Sequence, residues 1–184
     1  MLEEYGIPEI SDNDLATVVD NICGGELSGE WSIKPIGSSI GKATLGIYRV
    51  SGSAVNQTGE TVDWSTVLKI IDAEKDSSGQ REYQMANSAY LRSLDSGIRP
   101  AICYEATERT SSERWIWTEV LREAVQPPWN ESTFLDVARD VGKFNGHSSL
   151  STPTGEWETM GIAGALESFG VTHKLADFET TASN

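Results

Sequence analysis

Apolar residues recur first at helical spacing. Leu15, Val18, Val19 and Ile22 share one side of a helix that Ser11 can cap and Gly24-Gly25 can stop. Alternation comes next. Trp31, Ile33 and Pro35, then the apolar residues of 45–50, predict two strands joined by the loop Gly37-Ser38-Ser39-Ile40-Gly41. The Gly-, Ser- and Asn-rich stretch 51–60 predicts a hairpin tip before a third strand at 61–71. Ser77 and Gln80 have capping-box spacing and open a helix through Tyr83, Ala86, Tyr90 and Leu94 that Gly97 ends. Strand-like runs at 101–106 and 115–121 flank a polar turn at 109–113. Pro127-Pro128 marks a linker, and Asn130 opens a last helix through Phe134, Ala138 and Val141 to Asn145-Gly146. From Ser148 onward the chain is rich in Ser, Thr and Gly and poorly patterned, so weak order is expected there.

Helix, three strands, helix, two strands, helix is an order that predicts an α+β fold. The expected architecture is an antiparallel five-stranded sheet with one helix packed across a face, followed by a helical segment. The expected organisation is an N-terminal helical segment at 1–27, a sheet-bearing unit at 28–126, and a linker with an incomplete helical part at 127–184. At 184 residues, 38% hydrophobic and with a mean hydropathy of -0.33, the chain can build a core. A net charge of -14 argues against a nucleic-acid surface, which needs clustered Lys and Arg. No apolar run approaches the roughly 20 residues of a membrane span, and the start Met1-Leu2-Glu3-Glu4 is acidic, so a cytoplasmic location without membrane attachment is expected. Cys23 and Cys103 have no metal or redox spacing and are expected to be free thiols.

The candidate chemistry starts at a lysine. On the third strand Val67, Lys69 and Ile71 share one face, Leu68 and Ile70 the other, and both faces are otherwise apolar. An ammonium there needs either water, reached by snorkelling, or a fixed anion. Glu82, in the first turns of the following helix, is placed to supply that anion. Upstream, Gly37 and Gly41 bracket small hydroxyl residues between two strands, which lets backbone N–H groups approach an anionic ligand.

With these parts in this order, the chain resembles the aminoglycoside phosphotransferase family, small-molecule relatives of protein kinases. The matching stretches are Ile36-Gly-Ser-Ser-Ile-Gly41, Val67-Leu-Lys-Ile70, Arg81-Glu-Tyr83, Trp117-Thr-Glu-Val-Leu121 and Val141-Gly-Lys-Phe-Asn-Gly146, within residues 30–146. The resemblance implies a kinase-like N-terminal lobe that binds ATP or GTP. The loop with Gly37, Ser38, Ser39 and Gly41 would cover the phosphates, and Ala43 would lie over the purine. Lys69 would contact the α- and β-phosphates with Glu82 fixing it. Thr118 would stand behind the base, and main-chain groups of Glu119 and Leu121 would hydrogen-bond its edge, the Glu119 side chain taking no part. The complete enzyme would phosphorylate a small hydroxylated substrate and use magnesium.

The sequence departs from the family where chemistry is done. Phosphoryl transfer needs an Asp presented by an H-x-D-x-x-x-x-N type loop and further Asn and Asp ligands for magnesium. Neither His147 nor His173 is followed two places on by Asp. Lys174-Leu-Ala-Asp-Phe-Glu179 looks like the metal-binding K-L-x-D-F-G, but Glu179 replaces the glycine and no catalytic loop precedes it, so the likeness is taken as coincidence. No catalytic or metal-ligating residue is therefore assigned, and the chain alone is expected to be an inactive fragment with a lobe face exposed for self-association. The competing readings are a non-catalytic nucleotide-binding or protein-interaction module with a degenerate kinase fold, and an α+β domain without a nucleotide site.

Overall fold

The computed structural model describes residues 6–36, 43–75, 77–89, 98–122 and 128–150, all within the unit Met1–Thr152. Ser11 caps the first helix, α1 (Asp12–Cys23), through a reciprocal capping box. Its Oγ accepts the Asp14 N–H at 3.4 Å, while the Asp14 carboxylate accepts the Ser11 N–H at 2.8 Å. The helix stops at Gly24, whose left-handed φ of 63° costs a glycine little. The chain turns directly into β1 (Gly25–Pro35), followed by β2 (Thr44–Asn56) and β3 (Thr61–Asp72). The strands run longer than composition suggests: the Ser- and Gly-rich residues 51–56 belong to β2, and the hairpin tip is only 57–60. At that tip the Asn56 side chain accepts the N–H groups of Thr58 and Glu60 at 3.0 and 2.9 Å.

Helix α2 (Ser77–Asn87) follows, then β4 (Cys103–Glu108), β5 (Glu113–Glu119) and α3 (Glu131–Leu150). The expected extension of α2 through Tyr90 and Leu94 to Gly97 lies outside the described residues; the helix itself closes at Asn87. Helix α3 runs through Gly146 to Leu150 rather than stopping there. The stretch from 151 to 184, expected to be weakly ordered, is also outside the described residues.

All strand pairs are antiparallel, in the order β1-β2-β3-β5-β4. The fold is therefore α+β, and β3 is its central strand. Period-two alternation gives the sheet two faces of different character. Trp64, Thr66, Leu68 and Ile70 of β3 lie on one face with Tyr48, Val50, Trp115 and Trp117. Leu15, Val18 and Val19 of α1 cover that face and build the larger core, in which Leu15, Val18, Val19, Val50, Leu68 and Ile70 are fully buried. Trp115 and Trp117 meet edge to face with centroids 5.9 Å apart. On the opposite face α2 lays Tyr83 and Ala86 over Ile71, Ile116 and Ala43.

Helix α1 is tied to the sheet by polar links as well. Asn21 Nδ2 donates to the Tyr104 carbonyl at 2.9 Å, Trp31 Nε1 donates to Asp12 at 3.0 Å, and Arg109 pairs with Asp14 while lying 4.9 Å from the Trp115 ring centroid. Among the described residues no helix is long and apolar enough to cross a membrane.

Truncating the centre of the larger core is expected to be costly. Leu68→Ala should lose about 2–5 kcal/mol, since neighbouring strands and α1 cannot collapse into the space. Urea unfolding checks this; a loss below about 1 kcal/mol would mean that this face is not the core.

Candidate functional site

Lys69 sits in the middle of β3, with β2 on one side and β5 on the other: Ile47 is its partner across β2 and Ile116 across β5. Its side chain therefore rises from the sheet on the face that α2 crosses. Glu82, one turn into α2, meets it there, and Nζ lies 2.7 and 2.6 Å from the two carboxylate oxygens. The pair is not sealed: side-chain exposure is 28% for Lys69 and 46% for Glu82. A half-open pair of this kind adds at most about 1 kcal/mol to stability. Its effect is geometric, since it holds an ammonium above the central strand while leaving one side of it open to water.

Next to the ammonium, away from the α2 contact with Ile71, the same face carries Ile47, Val67 and Thr118, together with Arg49, the exposed partner of Val67 across β2. Val67 and Thr118 are cross-strand partners, and their side chains and that of Ile47 are half-buried. The result is a small, mainly apolar platform between the Lys69–Glu82 pair and Arg49. Ala43 does not join it. It lies at the other end of the face, buried against Ile71 and Ile116, with its carbonyl accepting the Asp72 N–H at 2.7 Å. Four residues of strand separate that point from Val67, on the order of 13 Å. The loop residues Gly37, Ser38, Ser39 and Gly41 lie outside the described residues.

At the end of β5 the chain is held from both sides. Thr66 Oγ1 donates to the Thr118 carbonyl at 2.7 Å. The Glu119 N–H donates to the Ile102 carbonyl at 2.9 Å, and the Glu119 carboxylate accepts the Ile102 N–H at 2.8 Å. Both guanidinium η nitrogens of Arg99 also donate to this carboxylate, Nη2 at 3.3 Å. The Glu119 side chain is thus committed to protein partners, and Leu121 beyond it is 63% exposed. Among the described residues, no group of three or more His, Cys, Asp or Glu side chains is placed to hold a metal ion.

Sequence reasoning located Lys69, Glu82 and Thr118, which the fold brings to one face, but not Ile47 or Arg99. Ile47 becomes part of the platform only through the β2–β3 register. Arg99 reaches Glu119 across 20 residues of chain, with no spacing signal in between.

The bonds from Arg99, then from the Ile102 N–H, hold the Glu119 carboxyl below the ordinary glutamate range. The sign follows: stabilisation from this group is complete above the unfolded value and is lost as pH falls through the lowered folded value. Arg99→Gln should raise the Glu119 midpoint towards the ordinary range in a carboxyl-resolved NMR titration. An unchanged midpoint would show that the guanidinium is not its partner in solution.

No family model, curated protein or solved structure matches this chain, so the site's chemistry rests on its own geometry.

Proposed function

We propose that this chain carries the ATP-binding lobe of a small-molecule phosphotransferase of the aminoglycoside phosphotransferase type, and that it does not turn over by itself. The observation that carries the reading is the Lys69–Glu82 pair: a third-strand lysine held by both oxygens of a glutamate from the next helix. Protein kinases aim an ammonium at nucleotide phosphates with the same two parts in the same order. Three further features support it. The sequence between β1 and β2 bears Gly37, Ser38, Ser39 and Gly41, and β2 pairs with the strand that carries Lys69. A half-buried platform of Ile47, Val67 and Thr118 lies beside the ammonium, of a chemistry suited to the flat face of a purine. The main chain leaves β5 after Glu119, one residue beyond the platform residue Thr118.

In this reading Lys69 neutralises phosphate charge and Glu82 fixes its direction. The loop residues Gly37, Ser38, Ser39 and Gly41 close over the phosphates, and Ile47 with Val67 takes the place over the base that the family pattern gives to Ala43. Magnesium has no ligand set among the described residues, and no step is routed through it. No residue is assigned as general base for an acceptor hydroxyl. Self-association belongs to the same proposal: Phe134, Leu135, Val137 and Val141 of α3 are exposed apolar residues of the kind that recruit a second surface.

Calorimetry with a non-hydrolysable ATP analogue tests the reading. The wild-type chain should bind saturably. Lys69→Met should weaken binding roughly 10- to 100-fold, the worth of about 1.5–3 kcal/mol for a hydrogen bond to a charged group. Glu82→Gln should weaken it less, because the ammonium remains but loses its aim. Absence of saturable binding by the wild-type chain would overturn the proposal.

A further inference from the structure

Beyond the platform of Ile47, Val67 and Thr118 the same sheet face turns polar. Cross-strand register sets Lys34, Arg49 and Val67 in one rung and Ser32, Ser51 and Ser65 in the next, all on this face. The Ser32 and Ser51 hydroxyls lie 3.3 Å apart, and Arg49 Nη2 donates to Ser65 Oγ at 3.4 Å. Arg49 and Arg122, both exposed, line one open cavity of about 590 Å³ together with these three serines. The protein does not balance the charge it places here. Acidic residues outnumber lysines and arginines 28 to 14 along the chain, and Lys69, Arg99, Arg109 and Arg114 each have a carboxylate partner. Among the described residues Lys34, Arg49 and Arg122 have none. Lys34 and Arg49 are, moreover, direct cross-strand neighbours, a placement of like charges that costs stability. Glu30 and Asp63 also line the cavity, but neither forms an ion pair with the arginines, and Asp63 accepts the Ser53 hydroxyl at 3.1 Å.

We propose that this cavity binds a single phosphate monoester group, at a site separate from Lys69–Glu82 and independent of the nucleotide reading. The donors select the group. One guanidinium fork satisfies a planar carboxylate. Two guanidinium groups with a row of hydroxyls instead match the three free oxygens and the double charge of a phosphate monoester. The Ser65 hydroxyl accepts from Arg49 and so has its own proton to give. Asp63, paired with Ser53 in the rung on the hairpin-tip side, keeps a longer polyanion from running on along the strands. Ser65 stands four residues from Lys69 on β3, on the order of 13 Å along the strand. One phosphate does not span both places.

The test is a two-dimensional NMR titration of the full chain with methyl phosphate and, separately, acetate at constant ionic strength. The signals followed are the backbone amides of Ser51 and Ser65 and the side-chain N–H groups of Arg49 and Arg122. Methyl phosphate should shift them saturably, and acetate should bind roughly tenfold more weakly or not at all. Arg49→Gln and Arg122→Gln should each weaken methyl phosphate by roughly tenfold, the worth of one bond to a charged group. Arg49→Lys should recover part of that loss, because it keeps the charge without the fork. Lys69→Met should leave these shifts unchanged. The site is wrong if the wild-type chain shows no saturable shift, if acetate matches methyl phosphate, or if either Gln variant binds like the wild type. If Lys69→Met abolishes the response, the phosphate sits at the nucleotide site and the second site does not exist.

Discussion

An ammonium on the central strand of a sheet cannot be covered by apolar packing without a counter-charge or a path to water. Lys69 has both. Glu82 meets it from α2, and more than a quarter of its side chain remains exposed. That requirement shapes the face around it. Helix α2 can bury Ile71 and Ile116 only by coming close enough for Tyr83 and Ala86 to pack, and this approach carries Glu82 over Lys69. Had α2 covered the whole face, the pair would be sealed and expensive; because it covers one end, Ile47, Val67 and Thr118 are left half-open next to a fixed cation.

The opposite face has no such demand and is filled as a core. Trp64, Leu68, Ile70, Trp115 and Trp117 meet Leu15, Val18 and Val19 of α1, and Arg109, Asn21 and Trp31 tie the helix in place. The stable side of β3 and the open side of β3 are thus alternate residues of one strand. Stability and candidate function are separated by a rotation of the side chain through the sheet, not by distance along the chain.

The end of β5 shows the same economy at smaller scale. One carboxylate, on Glu119, closes a bond to Ile102, accepts Arg99 and stays outside the platform that its own neighbour Thr118 borders. The Glu119 side chain is occupied by protein groups, Arg99 and the Ile102 N–H. That occupation takes up the Ile102 N–H, a matter of hydrogen-bond accounting at a strand end.

Local chemistry was legible from the residues alone. Ser11 and Gly24 bound α1 because an N-cap hydroxyl and a left-handed glycine act within a few residues of their own position. The order of helices and strands, the α+β class and the alternation that puts Val67, Lys69 and Ile71 on one face follow from periodicity, which is also local. Strand ends were not legible: Ser51 to Asn56 have turn composition but extend β2, because pairing with β1 and β3 satisfies their backbone groups. Gly146 likewise fails to stop α3, whose ladder of backbone bonds outlasts one weak residue. Ile47 opposite Lys69, Ala43 remote from Thr118, and Arg99 on Glu119 were decided only by tertiary structure, because register and cross-chain ion pairs depend on how distant segments are brought together, and no spacing in the chain encodes that distance.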